Sequence, residues 1–330
     1  MLTLTVICAS TLGGPVEAVE SDDSLNTIGI KLLELPVDRQ DDPRARRYII
    51  DHLPPGATIQ RKVEIANRTE KRRQVQVYAA AATVDGEEFS FAEGRTANEL
   101  SSWTSLGVPD LDLKPGQKKP AIVTIRVPEN ASTGERYAVI WASTTSDPVP
   151  GAVTKINRVG IRVYLDIGPG GEPSTDFRID EFTASRNPDG QPSLRVGVTN
   201  TGGRAVDLSG NLLLTHERDE IKAGPFSVVE GTTLAPGQTG NVAIAVSRRL
   251  DNGPWRAELT LVSGLVQRTA ATTVTFPDPG GPPTTFKPGT THLLLAGSGA
   301  AGLVILAALF VMIRRSRLRT SQPGQPVRRH

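Results

Sequence analysis

This chain of 330 residues has one cysteine, Cys8, so no disulfide can form within it. A fold without such staples must rest on apolar cores, and this length permits them. Histidine is scarce as well: His52, His216, His292 and His330 are the only four, and no two are close in sequence. His216-Glu217 lacks the second histidine, four positions on, that a zinc-protease helix requires. There is no phosphate-binding glycine loop with its lysine, and no glycine-x-serine-x-glycine elbow outside the apolar C-terminal run. The 35 acidic residues give many random carboxylate pairs but no ordered constellation. Asp22, Asp23, Asp38, Asp41 and Asp42 form a loose acidic group in expected loops, and a solvated loop is its default reading over a calcium site. These absences point to a binding protein rather than an enzyme, with no cofactor and no metal.

Long apolar runs are absent with one exception. Leu293–Ile313 holds 21 residues without a charge, and about 20 apolar residues span the hydrocarbon of a bilayer as a helix. Arg314, Arg315, Arg317 and Arg319 follow directly, with no acid before the C-terminus. Arginine favours the cytoplasmic side, which predicts a single-pass plasma-membrane protein with its N-terminal part outside the cell. Within the run, Gly297 and Ala301 are four apart, as are Ser298 and Gly302, a spacing that lets two helices approach closely. The tail from Arg314 to His330 carries six arginines, so the formal charge of +2 less +6 leaves −4 for everything before it. No domain-sized cluster of positive charge suggests nucleic acid, and the basic tail suits anionic inner-leaflet lipid.

At the other end, Met1–Ala18 has an apolar run, Leu2–Ala9, and a small-residue cleavage pattern at Val16-Glu17-Ala18. It reads as a signal peptide (residues 1–18) whose charged beginning is missing, which implies a start further upstream.

Between the ends the apolar period is two. Ile59, Val63 and Ile65; Val75, Val77 and Ala79; Ala121, Val123, Ile125 and Val127; Tyr137–Ala142; and Val159, Ile161, Val163 and Leu165 are short runs punctuated by glycine, proline and asparagine. Such runs make strands with one face on a core. They predict an all-β protein with two tandem immunoglobulin-like β-sandwich domains, residues 28–167 and 174–276, before one C-terminal transmembrane helix. Glu93–Ser102 is the one short helix expected. Gly168–Pro173 has the composition of a hinge, and the proline-rich residues 277–292 that of an unstructured stalk before the span (293–313) and the cytoplasmic tail (314–330).

The halves repeat each other. Leu113-Lys114-Pro115-Gly116-Gln117 precedes one expected strand and Leu234-Ala235-Pro236-Gly237-Gln238 another. Val63-x-Ile65-x-Asn67 matches Val196-x-Val198-x-Asn200. Proline followed by glycine fits a type II turn, so these residues read as turns and core rather than as a binding site. Asn67-Arg68-Thr69 and Asn130-Ala131-Ser132 match the glycosylation sequon. The first half is locally basic through Arg44, Arg46, Arg47, Arg61 and Lys62. The next cluster, Arg68, Lys71 and Arg72, is the candidate surface for an acidic wall polymer.

Residues Tyr48–Ile140 resemble the first domain of the WxL-interacting cell-surface proteins of Gram-positive bacteria. The resemblance is carried by Tyr48, Pro55-Gly56, Val63-x-Ile65-x-Asn67, Val75-x-Val77, Ala80–Thr83, Asp85-Gly86 before Phe89, Leu113-x-Pro115-Gly116, Val127-Pro128 and Gly134. It implies a distant member, and the arginine- and alanine-rich composition suggests an actinobacterial one. The family pattern implies a peptidoglycan-facing first domain and a second domain that engages a secreted or surface protein, or host matrix. Where the family has paired glycines after Gly134, this chain has Tyr137-Ala138-Val139-Ile140. The expected function is a membrane-anchored binding or scaffold protein; the alternative is an accessory or sensor subunit assembling through the span.

Overall fold

The computed structural model describes residues 28–146, 155–228 and 232–288. The expected signal peptide, the apolar run with Gly297, Ser298, Ala301 and Gly302, and the basic tail all lie outside the described residues. Among those described, no helix is long and apolar enough to cross a membrane.

Alternating residues build the first sandwich. Val63 and Ile65 on β3 (Thr58–Asn67) and Ala121, Val123 and Ile125 on β8 (Lys118–Arg126) turn inward and are buried. With β1 (Ile28–Leu32) and β6 (Thr104–Leu106) they make a sheet of order β1-β3-β8-β6. The facing sheet runs β2 (Ile49–Leu53), β10 (Ile156–Ile167), β9 (Gly134–Thr145), β4 (Arg73–Asp85) and β5 (Glu88–Phe91), with β7 (Asp110–Leu113) also on β4. Leu113, Ile140 and Val163 meet the first sheet in one core. In immunoglobulin lettering, an A-B-E-D sheet faces G-F-C with an added C′. The expected helix is shorter than the sequence suggested: α1 (Glu99–Trp103) starts where Asn98 accepts a hydrogen bond from the Ser101 amide.

The second sandwich repeats the plan. β11 (Phe177–Arg186), β12 (Pro192–Asn200) and β16 (Thr239–Ala245) face β13 (Val206–His216), β14 (Lys222–Ser227), β17 (Trp255–Ser263) and β18 (Val266–Val274), while β15 (Thr232–Leu234) pairs β13. Phe182, Val196, Leu212 and Leu259 lie in its core. One expectation is corrected here. The stalk assigned to residues 277–292 does not begin as a free spacer, because β19 (Thr284–Phe286) adds to β11 with Phe286 opposite Phe182. Proline excludes a residue from donating to a ladder, but the proline-free Thr284-Thr285-Phe286 can pair.

The sequence repeat proves to be a clasp. The Asn67 side-chain amide donates to Lys71 O (2.7 Å) and Leu113 O (3.0 Å), and its backbone amide donates to Gln117 O. The Asn200 side-chain amide donates to Arg204 O (2.8 Å) and Leu234 O (2.9 Å), and its backbone amide donates to Gln238 O. Gly116 and Gly237 take φ of +69° and +76°, as the turns require. Each asparagine ties the end of its strand to the turn that launches that strand's ladder partner, β8 for β3 and β16 for β12. Because Asn67 is buried, the first sequon is closed to a glycan.

The sandwiches meet along an ionic seam. Arg204, 2% exposed, donates from Nε to Glu135 Oε1 (2.8 Å) and from Nη1 to Glu172 Oε1. Arg39 also pairs with Glu172. Glu135 Oε2 accepts from the Ala205 amide (2.6 Å) and from the Tyr137 hydroxyl (2.9 Å). Arg44 pairs with Asp207 (2.7 Å), which also accepts from the Tyr164 hydroxyl (2.8 Å). Burial, joined by the Asp207 charge, pushes Tyr164 well above the usual tyrosine value. Burial alone would lower Arg44, but Asp207, Tyr164, Glu135 and Asp42 hold it above its ordinary value.

Gly168–Pro173 is therefore not the free hinge that its composition suggested. Glu172 is bound by two arginines, and His52 contacts Asp166 (2.6 Å) and Gly170 O (3.2 Å). A second bridge comes from the β4–β5 hairpin, whose two loop residues, Gly86 and Glu87, both have positive φ. Glu87 Oε1 accepts from the Asn241 amide (2.9 Å), and Glu87 O accepts from the Thr233 amide.

Candidate binding surface

The outer face of the β4-β9-β10 sheet carries an aromatic row interleaved with arginines. Alternation dictates it: with Val159, Ile161 and Val163 on the core side of β10, the residues Arg158, Gly160, Arg162 and Tyr164 must face outward. The register sets Gly160 beside Trp141 on β9 and Trp141 beside Tyr78 on β4. A Cβ on Gly160 would lie 2.6 Å from Val139 Cγ2 and 2.7 Å from the Trp141 ring, so glycine makes the floor on which the indole rests. Phe91 packs edge-on to Trp141 (5.0 Å between centroids) and is 41% exposed. The indole N–H of Trp141 is buried with no hydrogen-bond partner among the described residues.

Three arginines cover these rings. Arg158 lies 4.5 Å from the Trp141 centroid, Arg95 4.3 Å from Tyr78, and Arg162 4.7 Å from Phe89. Arg162 is also paired with Asp207 (3.3 Å) and is engaged by the seam. Arg95 donates to Gln76 (2.8 Å), and neither Arg95 nor Arg158 forms an ion pair among the described residues. Their charge is thus displayed rather than neutralised. Such stacking contributes about 0.5–1 kcal/mol at an exposed site and holds the guanidinium in place.

The sequence candidates Arg68, Lys71 and Arg72 fall in the exposed turn between β3 and β4 and do not converge. Arg72 pairs with Asp112 (3.1 Å). The Lys71 backbone carbonyl serves the Asn67 clasp and accepts from Thr69 (2.9 Å). Arg68 leads elsewhere, into a groove of about 530 Å³ that it lines with Arg158, Ile28, Ile30, Ile156 and Val159. The wider basic cluster is also dispersed. Arg44 is consumed by the seam and Arg61 by buried Asp51. Burial raises the Asp51 pKa against the opposing charge of Arg61. In the acidic loop, Asp42 accepts from the Arg44 amide (2.8 Å) and faces Arg39. No group of three or more potential metal ligands occurs among the described residues. Sequence reasoning missed Arg95, Arg158 and Trp141; the outward alternation on β10 was the available signal.

No family model matches the chain, and no curated protein does. Among solved structures, the class 5 fimbriae chaperone CfaA is similar at 9% identity and a TM-score of 0.37, over 75% of this chain and 99% of that one. A chain of the Salmonella enterica SafA pilin–SafB chaperone complex is similar at 10% identity and a TM-score of 0.42, over 75% and 97%. The E. coli chaperone DraB is similar at 13% identity and a TM-score of 0.38, over 68% and 94%.

Proposed function

We propose that this chain is a non-enzymatic binding module at the cell surface whose first sandwich takes an anionic wall polymer on its arginine–aromatic face. The observation that carries this reading is the pair Arg95 and Arg158, each stacked on a ring with no acidic partner among the described residues. A planar guanidinium already held by a ring matches carboxylate or phosphate oxygens and loses little freedom on binding them. Phe91 offers apolar area beside them. The second sandwich, fixed through Arg204 and Glu87, sets the angle at which that face is presented. The uncharged run Leu293–Ile313 and the arginines after it support a single span with the sandwiches outside the cell. The resemblance to WxL-interacting proteins supports a wall-facing first domain.

The test is co-sedimentation of the full-length chain with cell-wall sacculi that retain their anionic polymers and with sacculi stripped of them. Pelleting with the first only, weakened by salt, is the expected result. Protein left in the supernatant with both sinks the polymer reading.

A further inference from the structure

The groove lined by Arg68 has a property that a polymer-binding face does not need: two unpaired strand edges flank it. β10 pairs with β9 along its whole length, but β2 covers it only from Val163 to Ile167. Residues 156–162 therefore present a free backbone edge among the described residues. β1 pairs with β3, and its other edge, which lies beside β10, is hydrogen-bonded to no strand among the described residues. Soluble proteins usually blunt such edges with charge, proline or a bulge, because an open edge invites another strand. Here the edge of β10 begins instead with Ile156, which is 67% exposed. At about 3.3 Å per residue, the free stretch is roughly 20 Å long, enough for six residues of an added strand.

We propose that this groove receives an extended, acidic segment of a partner protein, which adds as a strand to the free edge of β10. The backbone edge selects a peptide, since only another main chain supplies alternating N–H and C=O groups. The charge selects its sign. Arg68 and Arg158 line the groove, none of its lining residues is acidic, and neither arginine has an ion pair among the described residues. Ile28, Ile30 and Val159 give apolar contact to alternate side chains of the segment. Arg158 is common to this groove and the polymer face, whereas Arg68, Ile156 and the free β10 edge belong to the groove alone and Arg95 to the polymer face alone.

The test uses the full-length chain in mild detergent and three capped octapeptide probes: valine alternating with aspartate, valine alternating with lysine, and the aspartate peptide N-methylated along its backbone. The aspartate peptide should bind and slow amide hydrogen exchange at residues 156–161. N-methylation should abolish binding while leaving the charges in place. The double variant R68E/I156E, both changes at exposed positions, should weaken the aspartate peptide at least about tenfold and take up the lysine peptide instead, a gain that an unfolded protein cannot show. Equal binding of the methylated peptide, or no binding of any probe, overturns the proposal. So does dimerisation that R68E/I156E abolishes, which would make a second copy the occupant. So does tighter aspartate-peptide binding after removal of residues 19–27, which would make the chain's own acidic stretch the occupant.

Discussion

Replacing Arg204 by alanine should uncouple the two sandwiches. Arg204 and Glu135 are each 2% exposed at the side chain, so their pair is fully buried. Removing one member of a buried pair typically costs about 3–5 kcal/mol, because the remaining charge has lost its partner. Glu135 keeps two donors, the Ala205 amide and the Tyr137 hydroxyl, which places the expected cost near the lower end, about 3 kcal/mol. For a unit of this size that corresponds to about 6–12 °C in Tm. The assay is urea unfolding followed by fluorescence. The parent should lose both sandwiches together, and R204A should show the loss in two stages. The partner variant R204M/E135Q removes both charges while keeping an acceptor for Ala205 and Tyr137, and it should recover about half of the loss. A cost for R204A below about 1 kcal/mol, with unfolding still in one stage, would refute the idea that this pair locks the seam.

Other outcomes follow from the same geometry. Asn67→Ala deletes the clasp donors to Lys71 O and Leu113 O and should lower stability by about 2 kcal/mol in urea titration, with Asn200→Ala producing a similar loss in the second sandwich. Gly160→Ala forces a methyl group against Val139 and the Trp141 ring; it should cost about 1–3 kcal/mol and shift the tryptophan emission. Glu172 responds to pH. Burial pushes its pKa up, but the Arg39 hydrogen bond and the Arg204 charge outweigh that and hold it below the usual glutamate value. Its contribution is therefore fully present above the unfolded glutamate pKa of about 4.3 and lost as pH falls through the depressed folded value. Stability measured from pH 6 down to 3 should fall less steeply in E172Q, and an unchanged slope would contradict this role.

The strands were legible because one face of each is buried, so Val63, Ile65, Val123 and Ile125 recur at a period of two. The clasp was legible as a repeat, since Asn67 and Asn200 occupy matching places before matching turns, although their bonding partners were not. The segments read by composition fared worse. Glycine and proline in Gly168–Pro173 and residues 277–292 suggested freedom, yet Glu172 is tied by two arginines and Thr284–Phe286 pairs with β11. Composition reports what a backbone can do alone, not what distant charges or an open sheet edge do to it. The surface was hidden for a related reason. Arg95, Trp141 and Arg158 are far apart in the chain, and only the register of β4, β9 and β10 brings them together. The cluster of Arg68, Lys71 and Arg72 was conspicuous because it is contiguous, and a contiguous turn points its side chains in different directions.

Binding of two charge-reversed variants to wall sacculi decides whether the arginine–aromatic face holds the polymer. R95E/R158E alters the aromatic face, and R248E/R249E makes an equal charge change at an exposed turn of the second sandwich. The first variant should stay in the supernatant while the second pellets like the parent. Equal loss in both would reduce the interaction to net charge, and full retention by R95E/R158E would show that the face between β4 and β10 is not where the polymer binds.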